Sequence, residues 1–330
     1  MIKELSRISF FLFLSLTLVM TSCDDDDDEE PPTPPPAEPT QNIAEIAQDN
    51  EQFSILVEAL VATDLVATLE GDGPFTVFAP TNTAFNAFFD LEGLTDANGD
   101  GSRVDEAATT LGEQAIKDLL LYHVLEAEVE AADITAKDYQ TTLSMDSPEG
   151  NALSLLIEPA NNLVLLNGGA DIGATVTTAN ILATNGIIHE IDAVLELPSV
   201  VDHVSANSNL SSLEGALVNA DLVTDLETQG AISVLAPDNE AMAAATLPSD
   251  NAGLISLLQY HVLTEQVRSG QIDVDNPTPT LNGQSLDFDV LNETSVVITD
   301  SQGEISTVTL ADIQGTNGVV HIINRVLLPQ

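Results

Sequence analysis

Phe53, Leu56, Val57 and Leu60 recur at i, i+3, i+4 and i+7. That spacing lines one side of an α-helix with apolar groups, and residues 41–70 are predicted as helical. A second short helix is expected after Asp64, read as its N-cap, through Leu65 and Leu69. The pattern then changes. Phe75-Thr76-Val77-Phe78-Ala79 is a run of strand formers between Gly73-Pro74 and Pro80, and predicts a buried strand. Thr81 stands where the N-cap of a following helix belongs, just ahead of Ala84 and Phe85. Ala115, Ile116, Leu119 and Leu120 form another helical face that runs into Tyr122-His123. Residues 141–197 are β-rich, with strand segments at 153–157 and 163–166, and Asn185-Gly186 is a hairpin-turn dipeptide.

The whole pattern occurs twice. Leu210, Leu213, Leu217, Asp221, Leu222 and Leu226 repeat the first helical stretch 157 positions on, and residues 230–239 repeat the strand phrase of 73–82. Leu119-Leu120-Leu121-Tyr122-His123-Val124-Leu125 returns as Leu257-Leu258-Gln259-Tyr260-His261-Val262-Leu263. Thr184-Asn185-Gly186-Ile187-Ile188-His189 returns as Thr316-Asn317-Gly318-Val319-Val320-His321. Three phrases in the same order mark a duplicated domain. A unit of about 130–160 residues is too long for a solenoid repeat and long enough to fold by itself. The copies diverge between Pro80 and His123, where the first carries about 19 extra residues. This insertion is placed at about 86–112.

These phrases resemble the fasciclin (FAS1) domain family, through "FTVFAPTNTAF", "LLLYHVL" and "TNGIIHEIDAVL". The resemblance covers nearly everything after residue 40, in both copies. It implies an α+β fold with two tandem FAS1-like domains, 41–198 and 199–330. Each is expected to be a mostly antiparallel β-sandwich or wedge flanked by several α-helices. It also implies a role in cell-surface adhesion or extracellular binding, without catalysis. In the family the Tyr-His phrase is linked to cell adhesion, which would carry over to Tyr122 and His123 and to Tyr260 and His261. The residues themselves favour another reading, in which these side chains pack in an apolar core with their polar tips hydrogen-bonded.

The first 40 residues read differently. Lys3 and Arg7 precede an apolar stretch at 8–20, the size of a signal-peptide core and short for a membrane span. Thr21-Ser22-Cys23 places a small residue before the chain's sole cysteine. It resembles a bacterial lipoprotein cleavage site, with residues 1–22 removed and Cys23 acylated. The alternative is a plain signal peptide with an incidental cysteine, which could form no internal disulfide. Residues 23–40 then form an acidic and proline-rich tether, stiffened by charge repulsion and polyproline II. Acidic residues just after the cysteine resemble the surface-export signals of Bacteroidota lipoproteins. The expected location is the outer membrane, lipid-anchored and facing outwards.

Acids outnumber Lys and Arg by 53 to 7, for a formal net charge of −46. A nucleic-acid partner is excluded on that balance, because phosphate binding needs Lys and Arg. The expected partner is an extracellular protein or glycan.

One acidic cluster has a chemical pattern. The insertion contains Asp-x-Asn-x-Asp-Gly, the opening half of a calcium loop. Asp96, Asn98 and Asp100 would offer side-chain oxygens, Ser102 a backbone carbonyl, and Glu106 would close the loop one place early. An acidic turn without metal fits the same residues. No cofactor is otherwise expected. The sequence holds no GxSxG, HExxH, CxxC or phosphate-binding glycine loop. His189 and His321 lie between aliphatics on one strand face and read as structural. Asn180 stands where the second copy has Asp312, so the local hydrogen bonding should differ. A surface polysaccharide-processing enzyme or its binding accessory, and a structural envelope spacer, remain the alternatives to adhesion.

Overall fold

Helix α1 (Ile43–Asp49) begins the first domain with a reciprocal cap: Asn42 accepts from Glu45 N, and Glu45 accepts from Asn42 N, both at 2.9 Å. The structure is a computed structural model that describes residues 38–330, apart from 97, 98, 100, 101, 162, 170, 171 and 292–294. Cys23, the leader and most of the tether lie outside the described residues.

After α1 come α2 (Ser54–Ala62), α3 (Val66–Leu69), β1 (Phe75–Pro80), α4 (Asn82–Leu91), α5 (Val104–Thr110) and α6 (Glu113–Tyr122). The strands β2 (Val124–Leu125), β3 (Asp138–Thr141), β4 (Ser154–Ala160), β5 (Leu163–Leu166), β6 (Ala174–Ala183) and β7 (Gly186–Ile191) complete the domain. The second domain repeats this order with α7 (Val200–Ala206), α8 (Ser211–Asn219), α9 (Val223–Thr228), β8 (Ile232–Pro237), α10 (Asn239–Ala244) and α11 (Asn251–Tyr260). It ends in β9 (Val262–Leu263), β10 (Thr278–Pro279), β11 (Ser285–Leu291), β12 (Ser295–Thr299), β13 (Ile305–Gly315) and β14 (Gly318–Ile323).

The helical stretch expected at 41–70, with a second short helix after Asp64, is present as three helices, α1 to α3, but Asp64 is not an N-cap. It has φ of 56° and ends α2, while Leu65 N reaches back to Leu60 O at 2.9 Å. This is a left-handed helix stop, which short polar residues tolerate. Asp221 does the same at φ 57°, with Leu222 N on Leu217 O at 3.1 Å. Thr81 and Asp238 do cap, accepting from Ala84 N at 3.3 Å and Ala241 N at 2.8 Å. Ala115, expected on the inner face of α6, is exposed.

Each domain has one seven-stranded sheet, β2-β1-β7-β6-β5-β4-β3 and its counterpart β9-β8-β14-β13-β12-β11-β10. Among the described residues, only β1–β7 and β8–β14 pair in parallel. Each sheet curls until its ends meet: Leu125 bridges Thr142, and Leu263 bridges Thr280. The sandwich-or-wedge expectation thus resolves into a wedge closing toward a barrel. Strand β1 is buried throughout and faces two cores. Phe75, Val77 and Ala79 join the helical layer, while Phe78 points into the curled sheet with Tyr122 and Leu155. That is the period-two alternation of a strand buried on both sides.

The Asn-Gly hairpin takes a different form from the expected one. Thr184 and Asn185 are its loop residues, and Gly186 already pairs with Ala183. The glycine is required by close approach, since a Cβ there would lie 2.0 Å from Phe75 O across the parallel pair. Gly318 is placed likewise, 2.1 Å from Ile232 O.

The insertion is an extension of α4 followed by α5. Its helix α4 has ten residues where α10 has six. Residues Pro39–Gln330 form one compact unit, so the two domains pack on each other. Gln314 N of β13 donates to Ser154 Oγ of β4 at 3.0 Å, and Lys137 Nζ reaches Asn207 Oδ1 and Ser208 Oγ at 3.2 and 2.6 Å.

Candidate functional site

The Tyr-His phrase ends α6 and α11, where the helix hands over to a short strand on the sheet edge. Tyr122 and Tyr260 are 0% exposed, and His123 and His261 are 2% exposed. Tyr122 donates to Ser154 O at 2.9 Å and accepts from Asn167 Nδ2 at 3.0 Å. Burial pushes its hydroxyl well above the usual phenol range. Tyr260 donates to Ser285 O at 3.4 Å and accepts from Ser301 N at 3.1 Å.

Each histidine of this pair ties its helix end to the chain after the last strand. Leu195 N donates to His123 Nε2 at 2.9 Å, so Nδ1 carries the proton and donates to Leu119 O at 2.8 Å. His261 repeats this with Leu327 N at 2.9 Å and Leu257 O at 2.9 Å. Burial drives both imidazoles down to about 4, and the backbone acceptors offset only part of it. Neither side chain reaches a partner without opening the domain.

His189 and His321 hold the opposite tautomer. Their Nδ1 atoms accept from Asn180 N at 3.4 Å and Asp312 N at 3.2 Å. Their Nε2 atoms donate to Val129 O and Val267 O, both at 2.8 Å. Asn180 and Asp312 sit at bulges with φ of 59° and 63°. As the sequence difference implies, their contacts differ. Asn180 accepts from Ala131 N at 3.0 Å, whereas Asp312 takes both the backbone N and the hydroxyl of Ser269 and lies 3.9 Å from Arg268.

In the insertion, Asn98 and Asp100 lie outside the described residues. Asp96 accepts from Gly99 N at 2.8 Å. Glu106, in the first turn of α5, reaches back to Thr95 N at 3.0 Å and so stands beside the start of the loop. Ser102 donates to the Glu58 carboxylate and accepts from Val104 N at 3.2 Å. Arg103 bridges Asp90 at 2.6 Å and lies 5.1 Å over the Phe89 ring. Among the described residues, no group of three or more His, Cys, Asp and Glu side chains is arranged to hold a metal ion.

Sequence reasoning passed over two sets of residues. Asn185 accepts from Ile43 N at 3.0 Å and donates to Leu69 O and Gly71 O at 2.8 and 2.7 Å, pinning α1 and the end of α3 to the hairpin. Asn317 repeats this with Val200 N, Leu226 O and Gln229 O. The repeated Thr-Asn-Gly phrase carried that signal. The second set is the domain junction. His203 is buried, donates through Nε2 to Gln314 O at 3.0 Å, and is held at about 4 by burial. Its signal was that it is the one histidine outside the repeated phrases.

A family model described as Fasciclin domain matches residues 51–198 and 208–329. Transforming growth factor-beta-induced protein ig-h3 of Oryctolagus cuniculus is 29% identical over 292 residues, covering 88% of this chain and 38% of that protein. The chain thus spans about two fifths of the length of that relative. Protein sll1483 of Synechocystis is 34% identical over 161 residues, covering 49% of this chain and 76% of its own. The solved FAS1 domain pair of the insect cell adhesion molecule Fasciclin I aligns over 86% of this chain and 95% of that one, with 18% identity and a TM-score of 0.45.

Proposed function

The chain belongs to the fasciclin domain family, and on that premise we propose that it is an exported, surface-tethered binding protein that recognises an extracellular protein or glycan and catalyses no reaction. One observation carries this reading. All five histidines are buried, and each is committed to backbone groups of its own fold. The side chains best suited to acid–base chemistry near neutral pH therefore hold structure. Acylated Cys23 anchors the protein to the outer membrane, and the 24–40 tether carries the domains outward. Among the described residues, no helix is long and apolar enough to cross a membrane. The 96–106 loop is the candidate calcium site of this reading.

A second reading has one observation of its own. A cleft of about 370 Å³ at the domain junction is lined by Glu158, Asp202 and Glu214 with Asn167 and Ser205. Carboxylates around a concave site suit a polysaccharide-processing enzyme or its binding accessory.

The test is binding of a soluble fragment of residues 41–330 to intact cells and a glycan array, with calcium and with chelator. Saturable binding without product supports the binding protein. Cleaved glycan transfers the case to the second reading. Loss of binding in chelator that Asp96→Ala reproduces assigns calcium to the loop. No binding in either condition favours a structural spacer. Cys23→Ala in the full chain should abolish membrane partitioning, and retained partitioning overturns the lipid anchor.

A further inference from the structure

Lys137 leads into β3 of the first domain, and Asn207 follows α7 of the second. Their side chains meet across the domain junction, with Nζ 3.2 Å from Oδ1. The amide carbon Cγ lies one bond beyond that oxygen. Glu158 of β4 also reaches the amine, its Oε2 3.0 Å from Nζ, and Ser208 Oγ holds it at 2.6 Å. Asn207 is 2% exposed, and the side chains of Lys137 and Glu158 are 20% and 16% exposed. An amine, a carboxamide and a carboxylate are thus gathered where water has limited access.

The carboxamide is held for attack. Its Oδ1 also accepts from Asn209 N at 3.1 Å, and its Nδ2 donates to the Tyr139 hydroxyl at 3.2 Å. These two bonds fix the plane of the amide. An N–H group on a carbonyl oxygen stabilises the negative charge that develops there when a nucleophile adds to the carbon. Asn50, the counterpart of Asn207 in the first domain, caps its own short helix in the same way, through Oδ1 to Gln52 N at 3.0 Å. The cap uses the oxygen alone, so the nitrogen of Asn207 can leave without loss of the cap. The counterpart of Lys137 in the second domain is Asp275, so the arrangement belongs to the junction and is not repeated with the domain.

We propose that Lys137 and Asn207 become joined by an isopeptide bond that locks the two domains together, with Glu158 as the proton carrier. Glu158 takes a proton from the ammonium, and the free amine attacks Asn207 Cγ. The Cγ–Nζ bond forms and the Cγ–Nδ2 bond breaks. Nδ2 departs with the protons that Nζ gives up, so one ammonium enters, one ammonium ion leaves, and nothing is oxidised or reduced. Fixed proximity supplies the rate that a free lysine and a free amide lack, and a carboxylate within hydrogen-bond reach supplies the proton transfer. Oδ1 stays on Asn209 N throughout. The event happens once per chain and turns over no substrate, so it stands apart from the binding reading.

Trypsin cuts after a free lysine and not after an acylated one. The full chain, denatured and digested, should therefore yield residues 118–268 as one piece, lighter by one ammonia than its sequence. A second digestion with a protease that cuts after Glu, between the two sites, should leave two branches joined through Lys137 and Asn207. Lys137→Arg should give separate peptides 118–137 and 138–268 at full mass. Glu158→Gln keeps the size of the side chain and should lower the joined product by about tenfold or more. Separate peptides at full mass from the parent overturn the proposal. So does a 118–268 piece at full sequence mass, or one that the second digestion separates. An undiminished joined product in Glu158→Gln overturns the role given to Glu158. The digest of the parent decides the bond by itself, so the result does not depend on either variant folding.

Discussion

The ring of Tyr139, on the last strand of the first domain's sheet, meets the ring of His203 on the first helix of the second, edge to face, with centroids 5.6 Å apart and planes at 71°. Asn207 Nδ2 donates to the Tyr139 hydroxyl at 3.2 Å. Tyr139 also packs against the second domain's helical core. Its counterpart in the second domain is Pro277, and the counterpart of His203 in the first is Ile46. The contact thus belongs to the junction and not to the domain design. A second close approach supports it: a Cβ on Gly168 would lie 2.9 Å from Ala206 O.

The domains should accordingly unfold together. Tyr139→Ala removes an aromatic pair and opens a void, at a cost of about 2 kcal/mol. Calorimetry should show one transition for the parent and two for the variant. A single transition within a degree of the parent would show that Tyr139 does not couple the domains.

The buried histidines give stability a pH dependence of known sign. His123, His203 and His261 are held near 4 when folded, against an unfolded value near 6.5. Between those values the unfolded chain binds more protons. Their contribution is complete above pH 6.5 and is lost as the pH falls toward 4. Each is worth at most roughly 3 kcal/mol over that window. His261→Gln leaves the carboxylate background unchanged, so unfolding free energy should fall less steeply from pH 6.5 to 4.5 than in the parent. An equal slope rules out a depressed His261.

The repeated phrases made the duplication, the buried strand, its helix cap and the β-rich second half of each domain legible, because both copies obey the same packing rules. Other features depend on tertiary partners that periodicity does not report. Asp64 has the composition of an N-cap, but left-handed backbone and the Leu65–Leu60 hydrogen bond make it a stop. Asn185 scores as a turn residue, yet its side chain joins segments more than a hundred residues away. Phe88 and Ala245 diverge where the alignment itself diverges, so the extra turn of α4 becomes visible only when the two domains are compared in three dimensions. For the Tyr-His phrase, the apolar neighbours argued for packing, and the structure supplies the acceptors: Ser154 O and Ser285 O.

The two tyrosines should not respond equally to loss of the hydroxyl. Tyr122→Phe strands Asn167 Nδ2 and Ser154 O in a fully buried site, at a cost of about 1–3 kcal/mol. Tyr260 makes longer contacts, so Tyr260→Phe should cost less. Chemical denaturation of the two variants checks the order. Unchanged stability in both, with lost cell binding, would instead give the phenols a recognition role.

Asn185 offers the sharpest test of the hairpin as the keystone of its domain. One side chain satisfies three backbone groups, from α1, the end of α3 and the turn before β1. Asn185→Ala leaves them without a partner where water has little access, and should destabilise the domain by about 3 kcal/mol. Asn185→Asp keeps the acceptor for Ile43 N but aims a carboxylate at two carbonyls, so it should be no better than alanine. Hydrogen exchange should localise the damage, with Ile43 and Phe75 amides losing protection in both variants and the second domain retaining its own. Protection retained at Ile43 in Asn185→Ala would mean that burial of the helical layer, and not this side chain, fixes α1 against the sheet.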